Sequence, residues 1–403
     1  MTEATGPTVR KSVGGRTPTG EWWLRRVAAA TLLYLQFQGM LGLAWDIEWH
    51  RSVGRDAFLT PPHILLYTSV AFSGLVCLGM VLLETLRYRR GVGVHDGNSV
   101  RVLGLFHAPL GFIVTGFGNL TTASAAPLDN YWHQLYGIDV TLWAPFHMMG
   151  LLGGIIAGLG SIYLWSALLV EARQRDGAVS WRQPETWAIL LVLMLALGQM
   201  VTIVRPALLQ FPTVDLGALH VMIYPVLLAL GAPWLFVAAS RITGRIGAAS
   251  VVVLFLMARD VLLQLFVPWA VRTGAAAEGL PFRDPSRMPS FSFEPLLLDL
   301  GLLAVAIVVD FLVWRSQTKD DRGWLLPVTV GTGSSVVLYI VAVLFANRAA
   351  TLAVGAVLPA GIHLGTPADW TATLLALPIA LGFGVLSGLF GNSLAQVWRR
   401  NPR

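Results

Sequence analysis

HILLYTSVAFSGLVCLGMVLLETL, residues 63–86, holds a single carboxylate, Glu84, and is followed at once by Arg87, Arg89 and Arg90. A stretch of this length, wound as a helix, crosses ~30 Å of hydrocarbon, and the basic residues behind it mark a stop at a membrane surface. Working outward from it, similar apolar stretches fall near 27–45, 102–120, 143–171, 187–204, 216–240, 247–267, 295–314, 325–346 and 373–395. The expectation is an all-α, polytopic integral membrane protein of about ten transmembrane helices.

Composition agrees with this reading. Hydrophobic residues make up 55% of the 403 and charged residues 12%, about half the charged share of a soluble domain. The mean hydropathy is +0.66. So much apolar surface needs lipid as its solvent, which makes the bilayer the first partner. Residues 1–21 are polar and basic and lack a cleavage site, so the first apolar stretch reads as a retained helix rather than a signal peptide. Cys77 is the one cysteine, which excludes an internal disulfide. The net charge of +6 calls for no nucleic acid, because it is spread along the loops.

The loop charges set an orientation. With the N-terminus inside, inner segments carry 20 of the 28 Lys and Arg and outer segments seven, while Arg259 lies within a span. Both termini are then cytoplasmic in a multi-pass protein of a bacterial plasma membrane. Trp22, Trp23, Trp49, Trp132, Trp143, Trp181, Trp314, Trp370 and Trp398 fall where interface anchors belong. The chain divides into a basic tail (1–26), a four-helix unit (27–182) and a six-helix unit of unassigned role (183–403).

Two outer segments match each other. Asp46-Ile-Glu-Trp49-His50-Arg-Ser-Val-Gly54-Arg-Asp56 leads to Pro61-Pro62-His63, and Asp129-Asn-Tyr-Trp132-His133-Gln-Leu-Tyr-Gly137-Ile-Asp139 leads to Pro145-Phe146-His147. Four of the eight histidines sit at corresponding places, which reads as an internal repeat of a two-helix unit. Asp and His four apart share one helix face, ~5–6 Å apart at the Cβ. The closing His follows a proline break and comes from the next helix. Each unit therefore offers one carboxylate and two imidazoles, Asp46/His50/His63 and Asp129/His133/His147, a set that suits copper, zinc or iron. Asp56 and Asp139 are placed to orient ligand imidazoles. Trp49 and Trp132 flank the ligands and read first as interface anchors. The Gly and Pro between paired histidines put each pair on two elements, which disfavours haem.

The D-x3-H-x12-H pattern at Asp46, His50 and His63, with Arg55-Asp56 and Thr60-Pro61 between, resembles a copper-ligand motif of the copper membrane monooxygenases, the particulate methane and ammonia monooxygenase family, in their C-type membrane subunit. Asp129, His133 and His147 have the spacing of the other proposed copper site of that C-type chain, where the family usually carries Asn at the first position. The resemblance covers roughly residues 30–170. It implies copper as cofactor, oxidation of a small apolar substrate with O2, and other monooxygenase-type subunits as partners, including a cupredoxin-like one, in a homo- or hetero-oligomer. The competing expectation is transport or delivery of copper or zinc without oxygenase activity.

Further polar residues enter the spans. Arg259 is expected to pair with Asp299 or Asp310 of the eighth span, and Glu84 to snorkel at the inner end of the second. Asp215 and His220 open the sixth span, and His107 and Asn119 lie on the third.

Overall fold

The structure is a computed structural model. It describes residues 19–54, 57–92, 99–137, 143–177, 180–210, 213–216, 219–284, 288–291, 293–317, 325–353 and 370–399. Among these, ten long helices run α1 (Thr19–Ser52), α2 (Pro61–Arg89), α3 (Leu110–Tyr136), α4 (Pro145–Asp176), α5 (Pro184–Gln210), α6 (Ile223–Thr243), α7 (Ala248–Ala277), α8 (Glu294–Gln317), α9 (Leu325–Ala353) and α10 (Trp370–Arg399). Seven of them (α1, α2, α4, α5, α6, α7 and α10) are long and apolar enough to cross a membrane. The fold is that of an all-helical, multi-pass membrane protein.

Two expected boundaries shift. Residues 102–109, read as the start of the third span, belong to a hairpin, β1 (Ser99–Val102) against β2 (Phe106–Pro109). Leu103 and Gly104 turn it with positive φ, a geometry no helix accepts. His107 is therefore on a strand, its ring stacked on Tyr88, and α3 extends instead to Tyr136, which carries Asp129 and His133 on regular helix. A second hairpin, β3 (Thr213–Leu216) with β4 (Leu219–Met222), precedes α6 and sets Asp215 opposite His220 in register. Beyond the apolar stretch 247–267, α7 stays helical as far as Ala277.

Small residues let the helices approach. A Cβ at Gly111 would lie 2.8 Å from the Leu164 backbone nitrogen, and one at Gly118 or Gly160 would strike the backbone of Ala157 or Thr115. This glycine seam, typical of helix pairs in lipid, presses α3 onto α4. Gln36 and Ser387 show how polar groups inside the bundle find partners, as lipid demands. Gln36 of α1 donates to Ser161 Oγ of α4 at 2.7 Å. In α6, Pro233 cannot donate, and Ser387 of α10 enters the opened turn, accepting from Trp234 N at 3.1 Å and donating to Leu230 O at 2.7 Å.

The charged residues of the spans serve packing. Arg259 pairs with its neighbour Asp260 on α7 and reaches Met40 of α1 and Thr202 of α5. Asp310 of α8 instead caps α7, accepting from Ser250 N at 2.9 Å and Ser250 Oγ at 2.6 Å. A carboxylate at a helix start meets backbone N–H groups that no residue of that helix satisfies. Glu84 does not snorkel. It is buried, and it holds Arg25 Nε at 3.0 Å while Glu21 holds the same guanidinium at 2.7 Å. Glu171 of α4 stands 3.9 Å away. The start of α1 and the ends of α2 and α4 thus meet at one end of the bundle. The turns α1–α2 and α3–α4, which carry the paired motifs, lie at the opposite end.

Candidate metal centres

The two expected ligand sets converge. Asp46, His50 and His63 form one cluster and Asp129, His133 and His147 another, each with its ligand atoms within 4.8 Å of one another. Each turn explains its own geometry. α1 carries Asp46 and His50 on one face through its last turns. Thr60 is then extended and Pro61–Pro62 start α2, so His63 projects from the first turn of the next helix. In the second centre α3 carries Asp129 and His133, Gly137 breaks the helix with φ +86°, and Pro145 starts α4 two residues before His147.

In the first centre His63 Nε2 lies 3.1 Å from Asp46 Oδ1. His63 Nδ1 is 3.0 Å from the Ala57 carbonyl, and His50 Nδ1 is 2.9 Å from the Asp46 carbonyl. Since a carbonyl only accepts, each Nδ1 donates its proton, and Nε2 carries the lone pair in the neutral ring. The His63 lone pair then points at a carboxylate oxygen, an arrangement that only a cation between them relieves. The imidazolium proton is one such cation and a metal ion is the other. Donors that share an ion at ~2.0–2.2 Å stand about 3–4 Å apart, which the observed separations match. Carbonyl bonds to the far ring nitrogen are the usual way a protein fixes a ligand imidazole.

The second centre has the same form. His147 Nε2 is 3.4 Å from Asp129 Oδ1 and His133 Nε2 is 3.8 Å from Asp129 Oδ2. The imidazole centroids are 5.9 Å apart, against 5.8 Å in the first centre. Asp46 Oδ1 and Asp129 Oδ1 are both buried, and neither accepts a hydrogen bond from the described residues.

The surroundings differ. Trp49 is not an interface anchor. It is fully buried between Trp45 and the Val271–Ala275 stretch of α7, because α1 runs past the four-helix unit and packs on the C-terminal half. Arg283, after α7, donates its backbone N–H to Ser52 O at 2.9 Å and lays its side chain on Gly54. Trp132 is only half-buried, in edge contact with Phe146, and Gly137 has open space around it. Trp398 is likewise buried rather than at an interface, packed edge-on against Tyr163. Asp56 and Asp139, expected to orient the ligand rings, lie outside the described residues, as do His95 and His363. Asn119 is buried on α3.

Sequence reading missed three contributors to the first centre: the Ala57 carbonyl, Arg283, and Tyr67, whose ring stacks on His63 at 5.2 Å. Only Tyr67 left a signal, lying one helical turn after His63. Comparison with protein-family models, with curated proteins and with solved structures finds no match.

Proposed function

We propose that this chain is a metal-binding membrane protein whose two Asp/His/His centres hold copper, and that it acts with O2 on a small apolar substrate, as the resemblance to the C-type chain of the copper membrane monooxygenases implies. The observation that carries the metal reading is the His63 lone pair set 3.1 Å from the Asp46 carboxylate while His63 Nδ1 is committed to the Ala57 carbonyl. Asp46, His50 and His63 would hold one ion, and Asp129, His133 and His147 the other. Copper is preferred to zinc or iron by the resemblance, since the donor set accepts all three. Bound copper would supply the redox chemistry that O2 needs. The protein's own part is to fix the imidazoles and to keep Asp46 out of bulk water. The copies of the motif are read as an internal repeat, with both centres at the outer membrane face and both termini inside.

Delivery or transport of the metal is the alternative. It needs a polar path through the last six helices. Asp310 is engaged as the cap of α7, and Arg259 and Asp260 are engaged with one another, which removes three of the four charges (Arg259, Asp260, Asp299 and Asp310) such a path would use.

Metal content of the protein purified in mild detergent tests the reading, with wild type beside His50→Ala and His133→Ala. Up to two equivalents of copper are expected, with one lost in each variant. A folded wild type without metal, or metal content indifferent to both substitutions, refutes it.

A further inference from the structure

A cavity of about 440 Å³ opens at the end of the bundle away from both centres, where α1 starts, α4 ends and α5 starts. Its volume is within the ~300–1,000 Å³ range of small-molecule sites. Its wall includes Trp22, Arg26, Arg175, Asp176, Arg182 and Glu185. The guanidiniums of Arg26 and Arg175 lie 5.0 and 4.8 Å from the centre of the same Trp22 ring. Glu185 pairs with Arg26, its Oε1 3.0 Å from Nε, and is itself buried. Asp176 accepts from Gln183 Nε2 at 2.9 Å. Arg182 adds a third guanidinium at the exposed rim. The wall thus gathers three guanidiniums around two carboxylates, an excess of positive charge.

The geometry points to a binding site for the phosphodiester headgroup of an anionic lipid. Guanidinium groups match phosphate oxygens in fork geometry, and basic pockets between membrane helices take anionic headgroups. The place favours a lipid over a free anion. The cavity adjoins the ends of apolar helices, and Trp23, half exposed, lies in edge contact with Trp22; indoles at helix ends are the residues that favour the headgroup region. This site is independent of the metal reading, and its test reads lipid rather than metal.

The test is native mass spectrometry of the full chain in non-ionic detergent, incubated with phosphatidylglycerol or with phosphatidylcholine of the same acyl chains. Wild type should retain phosphatidylglycerol preferentially. Retention should fall about five-fold for each arginine removed, in Arg182→Gln and again in Arg175→Gln/Arg182→Gln. Arg90→Gln, an exposed arginine at the end of α2 outside the cavity, should retain it as wild type does. Should the double variant fail to elute as a single folded species, the exposed Arg182→Gln alone carries the result. Equal retention of the two lipids, retention unchanged in Arg182→Gln, or an equal loss in Arg90→Gln overturns the proposal. Displacement of the lipid by low-millimolar inorganic phosphate overturns the lipid assignment and makes the site one for a soluble anion.

Discussion

The two Asp/His/His centres share ligands, spacing and ring separation, yet they sit in different surroundings. After His50 the end of α1 disappears into the protein: Ser52, Val53 and Gly54 are buried, with Trp49 behind them. After His133 the end of α3 stays outside: Gln134, Leu135, Tyr136 and Gly137 are exposed. The side chain of His147 is 25% exposed, against 9% for His63. The difference comes from neighbours far along the chain. α7 and the segment after it close over the first centre, while the second rests on the α3–α4 seam. The same motif can thus serve as a fixed centre in one place and an open one in another.

The largest expected effect tests that buttress. Trp49→Ala removes a fully buried indole and should cost about 3–5 kcal/mol. Trp132→Ala, at a half-buried site, should cost clearly less. Thermal unfolding of the two variants in the same detergent checks this, and equal losses would break the comparison. Next comes the seam under the second centre. Gly118→Leu forces a side chain into the backbone of Ala157 and should cost about 1–3 kcal/mol, with copper lost from the second centre before the first. Metal analysis of Gly118→Leu combined with His50→Ala, set beside His50→Ala alone, reads this directly.

Exchange gives a smaller effect. A chelator should strip copper in two phases roughly ten-fold apart in rate, the equivalent of about 1.4 kcal/mol in barrier. The fast phase should be absent in His147→Ala and the slow phase in His63→Ala. A single phase would mean that burial does not distinguish the centres. The smallest effect is at Tyr67, whose counterpart in the second centre, one turn after His147, is Leu151. Tyr67→Leu removes the ring stacked on His63 and should weaken the first centre by about 0.5–1.5 kcal/mol, read as copper affinity by competition.

Much of this was legible in the chain. The apolar stretches located ten helices, seven of them long and apolar enough to cross a membrane, because lipid imposes a length and a composition on any spanning helix, and that constraint is local. The ligand sets were legible because i,i+4 spacing and a proline-started helix act over a few residues. Boundaries were less so: residues 102–109 are apolar enough for a span, but the Leu103–Gly104 turn makes them a hairpin.

The sequence by itself determined the solvent of this protein, the number and place of its helices, and which six side chains face one another in two threes. Tertiary structure alone decided that Trp49 is core rather than interface, that Asp310 caps α7 while Arg259 turns to Asp260, and that Arg25 gathers Glu21 and Glu84. The physical reason is range. Spacing and hydropathy act within a helix, but what a residue meets across the bundle depends on which distant helix packs there. The same Trp-His pair can then be closed in one copy and open in the other.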